Sequence, residues 1–409
     1  MRSTCAIAAL VLAAGTVLEV QALDLSGDLS LQARGYPESP AHAGQRSSTA
    51  GWVLEPTLHG ELTPTTSFTF TPLYRFDTAD SRRTHADLRE AYLLRYGEWG
   101  GHSWQLRAGV DRVFWGVAEV HNLVDIVNQI DLVEHPRDRP KLGQPMLHLA
   151  VSGDWGLAES FVLPYHRKRT FPGRSGRLRA GRLIEDDAAY ESGAEERHVD
   201  VAFRYSHAVG VLDIALSAFS GTSREPRFVI DPSAGDAGAM DAPLLPFYEQ
   251  IRQFGLEAQL TTEPVLYKLE AIRRHGAQNL LGEGEDYGAF IVGLERTLYA
   301  LFDSPYDLTL LGEWLYDERG SRATSAWQND VYLTGFLSFN DVQGTELIVG
   351  LLADLRYNTR TLNLEFKRRL AGSWSMRLET FANLGSDRKD LTYDGRRDSF
   401  AGAELIFSF

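Results

Sequence analysis

Cysteine is almost missing from this chain: Cys5 is the single one in 409 residues. It lies in a leading segment, Met1 to Ala22, that reads as a secretory signal. Arg2 supplies the positive start, Ala6 to Leu18 is an unbroken small and apolar run, and Val20-Gln21-Ala22 carries small residues where a signal peptidase cuts. An N-terminal membrane anchor is the competing reading. With cleavage near Ala22 the remaining 23–409 holds no cysteine, which excludes disulfides, thiolate catalysis and cysteine-ligated metals. Also missing is any later run of the ~18 apolar residues that a membrane-spanning helix needs. Excess positive charge is absent too: the net charge of −14 argues against nucleic acid as a partner. Catalytic signatures are lacking. No H-E-x-x-H, P-loop or dinucleotide fingerprint occurs, and Gly173-Arg174-Ser175-Gly176 stops short of a G-x-S-x-G elbow. No enzyme activity, cofactor or metal is therefore expected.

What is present is a repeated alternation of period 2. Eighteen segments of about ten residues carry it: 23–34, 51–62, 66–77, 86–96, 102–113, 144–153, 155–166, 197–207, 210–220, 249–261, 264–275, 286–299, 305–317, 329–339, 344–357, 359–369, 373–383 and 399–409. In the third, Phe68, Phe70, Tyr74 and Phe76 oppose Thr69, Thr71, Arg75 and Asp77; in the sixteenth, Leu362, Leu364 and Phe366 oppose Asn363, Glu365 and Lys367. Segments 86–96 and 329–339 alternate least clearly, so sixteen strands is the second count. A strand apolar on one face and polar on the other, repeated this often, suits a wall with hydrocarbon outside and water inside. Aromatic residues at 11% are enough for interfacial girdles. The connections alternate in length. Gly97–Gly101, Gly153-Asp154, His207–Val209, Thr262-Glu263 and Ala371-Gly372 are short, whereas 35–50, 114–143, 167–196, 221–248, 318–328 and 384–398 are mostly long. Trp99, Trp104, Trp155 and Trp374 sit at or beside the short turns, as an interfacial belt requires; four ordinary core tryptophans is the alternative. The expected fold is all-β: one transmembrane antiparallel up-and-down β-barrel over 23–409, of about 18 strands, with a loop that folds inward after strand 5.

The last eleven residues, Ser399 to Phe409, put Ala401, Ala403, Leu405, Phe407 and Phe409 on one face. This ending resembles the C-terminal strand of bacterial outer-membrane barrels. The resemblance implies a Gram-negative outer-membrane location and delivery by the barrel-assembly machinery. A second resemblance lies in 114–143. Trp115-Gly116, Asp125, Asn128 and Asp131 form a W-G-x(8)-D-x-x-N-x-x-D block, flanked by Leu88-Arg89-Glu90-Ala91-Tyr92 and Leu106-Arg107-Ala108-Gly109. It is similar to a family of uncharacterised proteobacterial outer-membrane proteins over roughly 86–165, with Gln129 in place of the proline of an N-P-x-D form. That similarity implies envelope transport, with an inner-membrane export partner for some relatives.

The parity of the strands sets the expected lumen lining. Arg75, Arg107, Asp111, Arg204, Glu257, Glu295, Glu313 and Arg377 face inward, and charges in a closed barrel need water or partners. Cross-strand pairing that only stiffens the wall is the bland alternative for each. Val120, Leu123, Val124, Val127, Ile130 and Leu132 make 114–143 too apolar for an exposed loop. It is expected to pack on the barrel interior and constrict the pore with Glu119, His121, Asp125, Asn128, Asp131, Glu134, His135 and Arg137; a capping helix or outside plug is the other possibility. His121 and His135 share this loop with Asp125 and Asp131, but their spacing matches no metal-ligand pattern. In 167–196 the basic residues Arg174, Arg177 and Arg179 are expected outside the cell, where lipopolysaccharide phosphates or an anionic solute are available; mutual neutralisation within the loop is the alternative. Together these features point to a porin-like outer-membrane channel for small solutes or hydrophobic compounds. A lipid-acting barrel enzyme, or a plugged structural or adhesive barrel, is the competing reading.

Overall fold

A computed structural model describes residues 22–135, 139–231 and 242–409. The expected signal segment through residue 21 and Arg137 lie outside these. Among the described residues there is no α-helix; the chain is strands, turns and short 3-10 segments. The strands are β1 (Ala22–Gly35), β2 (Ser48–Thr63), β3 (Thr66–Asp77), β4 (His85–Trp99), β5 (His102–Asp111), β6 (Gln144–Gly153), β7 (Gly156–Leu163), β8 (Ala189–Tyr190), β9 (Asp200–Val209), β10 (Leu212–Thr222), β11 (Arg227–Ile230) and β12 (Leu244–Tyr248). They continue with β13 (Gln250–Thr261), β14 (Val265–His275), β15 (Tyr287–Leu298), β16 (Asp307–Asp317), β17 (Asn329–Ser338), β18 (Glu346–Asp354), β19 (Arg360–Ala371), β20 (Trp374–Gly385) and β21 (Phe400–Ser408).

Eighteen of these form one antiparallel sheet, each strand paired with its neighbour in sequence. The sheet closes because β1 pairs with β21, from Asp28↔Ser408 to Gly35↔Ala401. Closure removes every open edge, so no backbone N–H or C=O of the ladder is left facing hydrocarbon. The count is eighteen and not sixteen: β4 and β17, the weakly alternating segments, pair on both sides. The three remaining strands, β8, β11 and β12, form a small sheet among the long connections. No alternation marks them, because they are short and pair across loops.

Along each wall strand exposure follows parity. In β3, Phe70, Tyr74 and Phe76 are exposed while Thr69, Thr71, Leu73, Arg75 and Asp77 are buried. Ten residues of β17 at ~3.3 Å each, tilted by ~40°, span about 25 Å, the height of an outer-membrane hydrocarbon band. Aromatic residues ring both rims. At the short-turn rim Trp99, Trp155 and Trp374 are exposed, Trp155 stacks on Tyr205 and Trp374 packs on Phe407. These indoles are interfacial and do not belong to a buried core. The opposite rim carries a second set that the sequence reading did not single out: Trp52 stacked on Phe76, and Phe290 with Trp314 and Tyr316.

The connections obey the length rule with exceptions. One rim holds 64–65, 100–101, 154–155, 210–211, 262–264 and 372–373, but also the longer 299–306 and 339–345. The other holds 36–47, 78–84, 112–143, 164–199, 223–249, 276–286, 318–328 and 386–399, together with the brief 355–359. Both ends of the described chain lie at the short-turn rim, where Gly27 N donates to the Phe409 carbonyl and Ser408 N to that of Ser373.

If the outward face meets lipid, an arginine at its middle is costly. Leu333, half-exposed near the centre of β17, is the test position. Leu333→Arg is expected to lower unfolding stability in phospholipid vesicles by ~2–4 kcal/mol, and Leu333→Ala by much less. Equal stability of L333R and the parent barrel would contradict a lipid-facing surface.

Candidate functional site: the inward loop and its wall

The long connection after β5 folds into the barrel and builds its hydrophobic core together with the inner wall. Trp115, Val124, Ile126 and Val127 are buried against Met146, Phe161, Leu163, Phe219, Ile251 and Ile272 of the inner wall. Ala118 packs with Ile291 and Leu315, bordered by Val120, Leu123 and Trp327. Fully burying side chains of this size contributes ~1.5–3 kcal/mol each. The inner wall is thus not uniformly polar: from β6 to β16 it presents apolar residues where the loop lies. A loop rich in valine and isoleucine and an apolar sector of wall solve one another's exposure.

Polar anchoring is more specific. Three inward glutamates, from β13, β14 and β16, grip the loop backbone. Glu257 accepts from Gly116 N at 3.2 Å. Glu270 accepts from Val117 N at 2.7 Å, Ala118 N at 2.9 Å, Leu123 N at 2.7 Å and Val124 N at 3.3 Å, with Asn122 Nδ2 at 3.2 Å. Glu313 accepts from Glu119 N at 2.7 Å and Val120 N at 3.0 Å. Successive amide N–H groups turned onto one carboxylate make charge-assisted bonds, the stronger kind. Gly116 is needed at its place. Its φ is +109°, and a Cβ there would come within 2.5 Å of a Glu270 carboxylate oxygen. Gly255 likewise leaves room for Val124, which a Cβ would meet at 3.0 Å.

The loop then crosses to the opposite wall. Asp131 pairs with Arg89 of β4 at 2.8 Å and accepts from Thr170 Oγ1 at 2.5 Å. Glu134 pairs with Arg75 of β3 at 2.7 Å and with His85 at 3.2 Å. His135 Nε2 meets Glu379 of β20 at 3.0 Å. Arg83 donates to the carbonyls of Val133 and Glu134 at 2.9 Å each. Asn128 staples the two legs, donating to the carbonyls of Asp111 and Leu142 at 2.9 Å while accepting from Val113 N. Lys141 binds both Asp125 and the Val113 carbonyl. Burial raises the Asp125 carboxyl against the pull of Lys141 and lowers the Lys141 ammonium. Burial would raise Glu134 as well, but the hydrogen bond from His85 and the guanidiniums of Arg75 and Arg89 bring it down to about 2.

These placements correct several sequence expectations. Asn128, Asp131 and His135 are buried and hold the loop to itself or the wall, so they present little side chain to a pore; Glu134 is buried as well but borders the open cavity beside Arg75. His121 stacks on Trp327, bonds Arg139 at 3.0 Å and is driven by burial, then by Arg139, to about 3, which keeps it neutral. Glu119 is the more open member, reaching Lys268 at 2.9 Å. The eight inward wall residues do project to the interior, but in pairs: Arg75–Glu134, Arg107–Asp111, Arg204–Glu257, Glu295–Lys268 and Arg377–Glu365, while Glu313 is taken by the loop. Glu270, the central anchor, was missed; it shares parity with Lys268 and Arg274, which was the available signal. In the outer loop Arg177 is buried, bonding Asp398 at 2.6 Å and covering Tyr36, so it is not offered to an outside anion. Arg174 is exposed and Arg179 partly so.

Among the described residues the histidines do not converge on a nucleophile. His59 bonds Thr69 and His148 bonds Glu159 on the wall, and His198, at the end of the connection 164–199, bonds Asp200. His85, Asp131 and Glu134 are close enough to ligate a metal, yet Arg75 and Arg89 already occupy both carboxylates. A cavity of about 600 Å³ lies on the side of β1, β2, β3 and β21, bordered by Gln32, Glu55, Thr57, Arg75, Arg112 and Glu404.

No protein-family model matches the chain and no curated protein does, so the likeness of the W-G-D-N-D block to uncharacterised outer-membrane proteins gains no support. Among solved structures the chain is similar to porins. A triple mutant of Rhodopseudomonas blastica porin aligns at 13% identity and TM-score 0.46, over 95% of this chain and 100% of that one. A double mutant of the same porin aligns at 12% and 0.46 over the same shares. The barrel assignment comes from the closed ladder of this chain itself.

Removing Glu270 strands several loop amides at once. Glu270→Ala is expected to cost about 2–4 kcal/mol, from lost bonds to a charged acceptor and buried donors left unpaired, and to speed amide exchange in 116–124 without opening the wall strands. Unchanged exchange there would show that the apolar contacts alone seat the loop. The Glu134 latch has a defined pH sense. Its carboxyl sits below the ordinary 4.5 when folded, so the stabilisation is complete above about pH 4.5 and is lost as pH falls towards 2. Protease cutting within 131–135 should rise over that window in the parent and rise less steeply in Glu134→Gln, where the carboxylates of Asp131 and Glu379 still hold the segment.

Proposed function

We propose that this chain is an outer-membrane channel through which small solutes cross a lumen narrowed by the loop 114–143. One observation carries the reading: a single loop is clamped to opposite walls, by Glu257, Glu270 and Glu313 on one side and by Arg75, Arg89 and Glu379 on the other. A segment so held divides the interior. It fills the sector along β6 to β16 and leaves the sector along β1 to β3 and β21. The lining of that sector is polar and of both signs, with Arg112 between Glu55 and Glu90. Neighbouring opposite charges leave little net field, so size and hydrogen bonding set selectivity more than charge does. This favours small polar or neutral solutes. Passage down a gradient needs no covalent chemistry. The apolar outer face and the two aromatic rims support residence in an outer membrane, with lipopolysaccharide as the outer-leaflet neighbour and the barrel-assembly machinery as the folding partner. An inner-membrane export partner would make the passage directional.

The test is electrical. Refolded protein in a planar lipid bilayer is expected to give discrete conductance steps with weak ion selectivity. Deleting 120–135 should enlarge those steps several-fold, and Glu270→Ala should add noise by loosening the loop. A barrel that refolds, carries no current, and stays closed after the deletion would refute the channel and leave a plugged structural barrel. Phospholipid hydrolysis by the parent protein would favour the enzymatic alternative.

A further inference from the structure

Two connections break the length rule at the short-turn rim, 299–306 and 339–345, and they lie side by side at the feet of β15 to β18. They are bonded to each other. Asn340 Nδ2 donates to the Pro305 carbonyl and to Asp307 Oδ2, both at 2.8 Å, and the rings of Tyr306 and Phe339 meet edge to face at 5.0 Å. Within the first, Ala300, Phe302 and Asp303 hold φ of +49°, +53° and +59°, a left-handed conformation that is costly without glycine. Ala300 N donates to Asp307 Oδ1 at 2.9 Å and Ser304 N to the Leu301 carbonyl at 3.1 Å, which fixes that shape. The result is display of apolar side chains: Phe302 is 93% exposed, Val342 of the second connection 91% and Tyr299 77%. Backbone strain that keeps bare apolar groups on view is expected at a contact surface.

The wall above them shows what the contact is. Leu298, Leu308, Leu337, Leu347 and Phe366 are successive cross-strand partners in a row directly over the two turns. They share parity with the exposed Leu294, Leu310, Leu333, Val349 and Leu364, so the row lies on the outward face. The apolar surface of the wall therefore runs on into the turns. Two arginines mark the depth. Arg296 is exposed on the same face of β15, above Leu298. A guanidinium on a lipid face is tolerated where its stem can carry it to the headgroup phosphates. At ~3.3 Å per residue on a strand tilted by ~40°, Tyr299 is about 7–8 Å below Arg296, within the length of that side chain. Arg368, outward on β19 by parity with Leu364, already reaches the second turn, at 3.0 Å from Thr345 Oγ1 and 3.4 Å from Asp341.

We propose that the connections 299–306 and 339–345 form one foot that seats in the phospholipid headgroup layer of the inner leaflet, with Tyr299, Phe302 and Val342 as its apolar tips. The headgroup region is ~5–7 Å deep on each side of the hydrocarbon, and aromatic side chains concentrate there. Headgroups that carry both phosphate and ammonium suit Arg296 and the exposed Asp303 alike. The foot continues the girdle of Trp99, Trp155 and Trp374 past the strand ends. It rests on the outer-membrane reading and is independent of what passes through the lumen.

Depth-resolved fluorescence tests it. Cys5→Ser removes the one cysteine of the chain, so a single introduced cysteine can carry an uncharged fluorophore. Phe302→Cys, Val342→Cys and, as a mid-wall reference, Leu333→Cys are refolded into vesicles of phosphatidylethanolamine and phosphatidylglycerol. Labels at 302 and 342 are expected to be quenched roughly twofold or more by a headgroup spin label and shielded from iodide, and the label at 333 by a mid-chain spin label. A label on Gln343→Cys should lose about half or more of its headgroup quenching when Phe302→Ser and Val342→Ser are combined, because the tips seat the foot. Labels at 302 and 342 that stay open to iodide and untouched by lipid quenchers, with 333 quenched, would overturn the foot, leave the lipid-facing wall standing and point to a protein contact at this rim. Unchanged quenching at 343 in the double serine variant would overturn it equally. Loss of quenching at 333 as well would bring down the membrane reading on which the foot rests.

Discussion

The interior of this barrel is organised by carboxylates that accept hydrogen bonds from backbone amides. Glu270 alone takes four loop N–H groups, with Glu257 and Glu313 beside it. A loop inside a barrel has no ladder to satisfy its amides, and every buried one left unpaired is costly. Placing acids on inward positions of three wall strands resolves that cost without a helix or an added strand. It also explains a chain with a marked acidic excess that still pairs most of its inward arginines. Many of its glutamates answer to peptide groups.

The loop in turn sets the asymmetry of the lumen. Its apolar side settles on an apolar sector of wall, and its charged end, with Asp131, Glu134 and His135, reaches the polar sector at β3, β4 and β20. A uniform polar lining would give an open pore and no place for the loop; a uniformly apolar one would collapse or aggregate. The outer connections repeat the scheme on a smaller scale, with Thr170 on Asp131, Arg169 on Gln129 and Arg177 on Asp398. The outer mouth is therefore a bonded layer continuous with the inner loop.

Much of this was readable in advance, and the physical reason is the two-residue repeat. A wall between oil and water must alternate, so Phe70 against Thr71, or Leu364 against Glu365, declares face and register locally. Even the turns declare themselves, because chain reversal on the short rim needs two or three residues. The role of the inward residues was harder. Parity says that Glu257 and Glu313 point in. It does not say that an amide, and not water, will meet them. Asp125, Asn128 and Asp131 looked like a pore-facing series, and three different partners, Lys141, the two loop legs and Arg89, turned them into fasteners. The small sheet of β8, β11 and β12 escaped notice because strands this short carry no periodic signal.

By itself, then, the amino-acid order pointed to a closed wall of eighteen or sixteen strands, its apolar side, its rims and a segment 114–143 too apolar to stay in solvent; strand pairing settled the count at eighteen. These follow from side-chain transfer between two media, which acts residue by residue. Only the tertiary structure decided which wall the loop rests on, which charges cancel, and which loop amides each inward glutamate meets. Those outcomes depend on contacts between residues far apart in the chain, and closing the barrel is what brings them within reach.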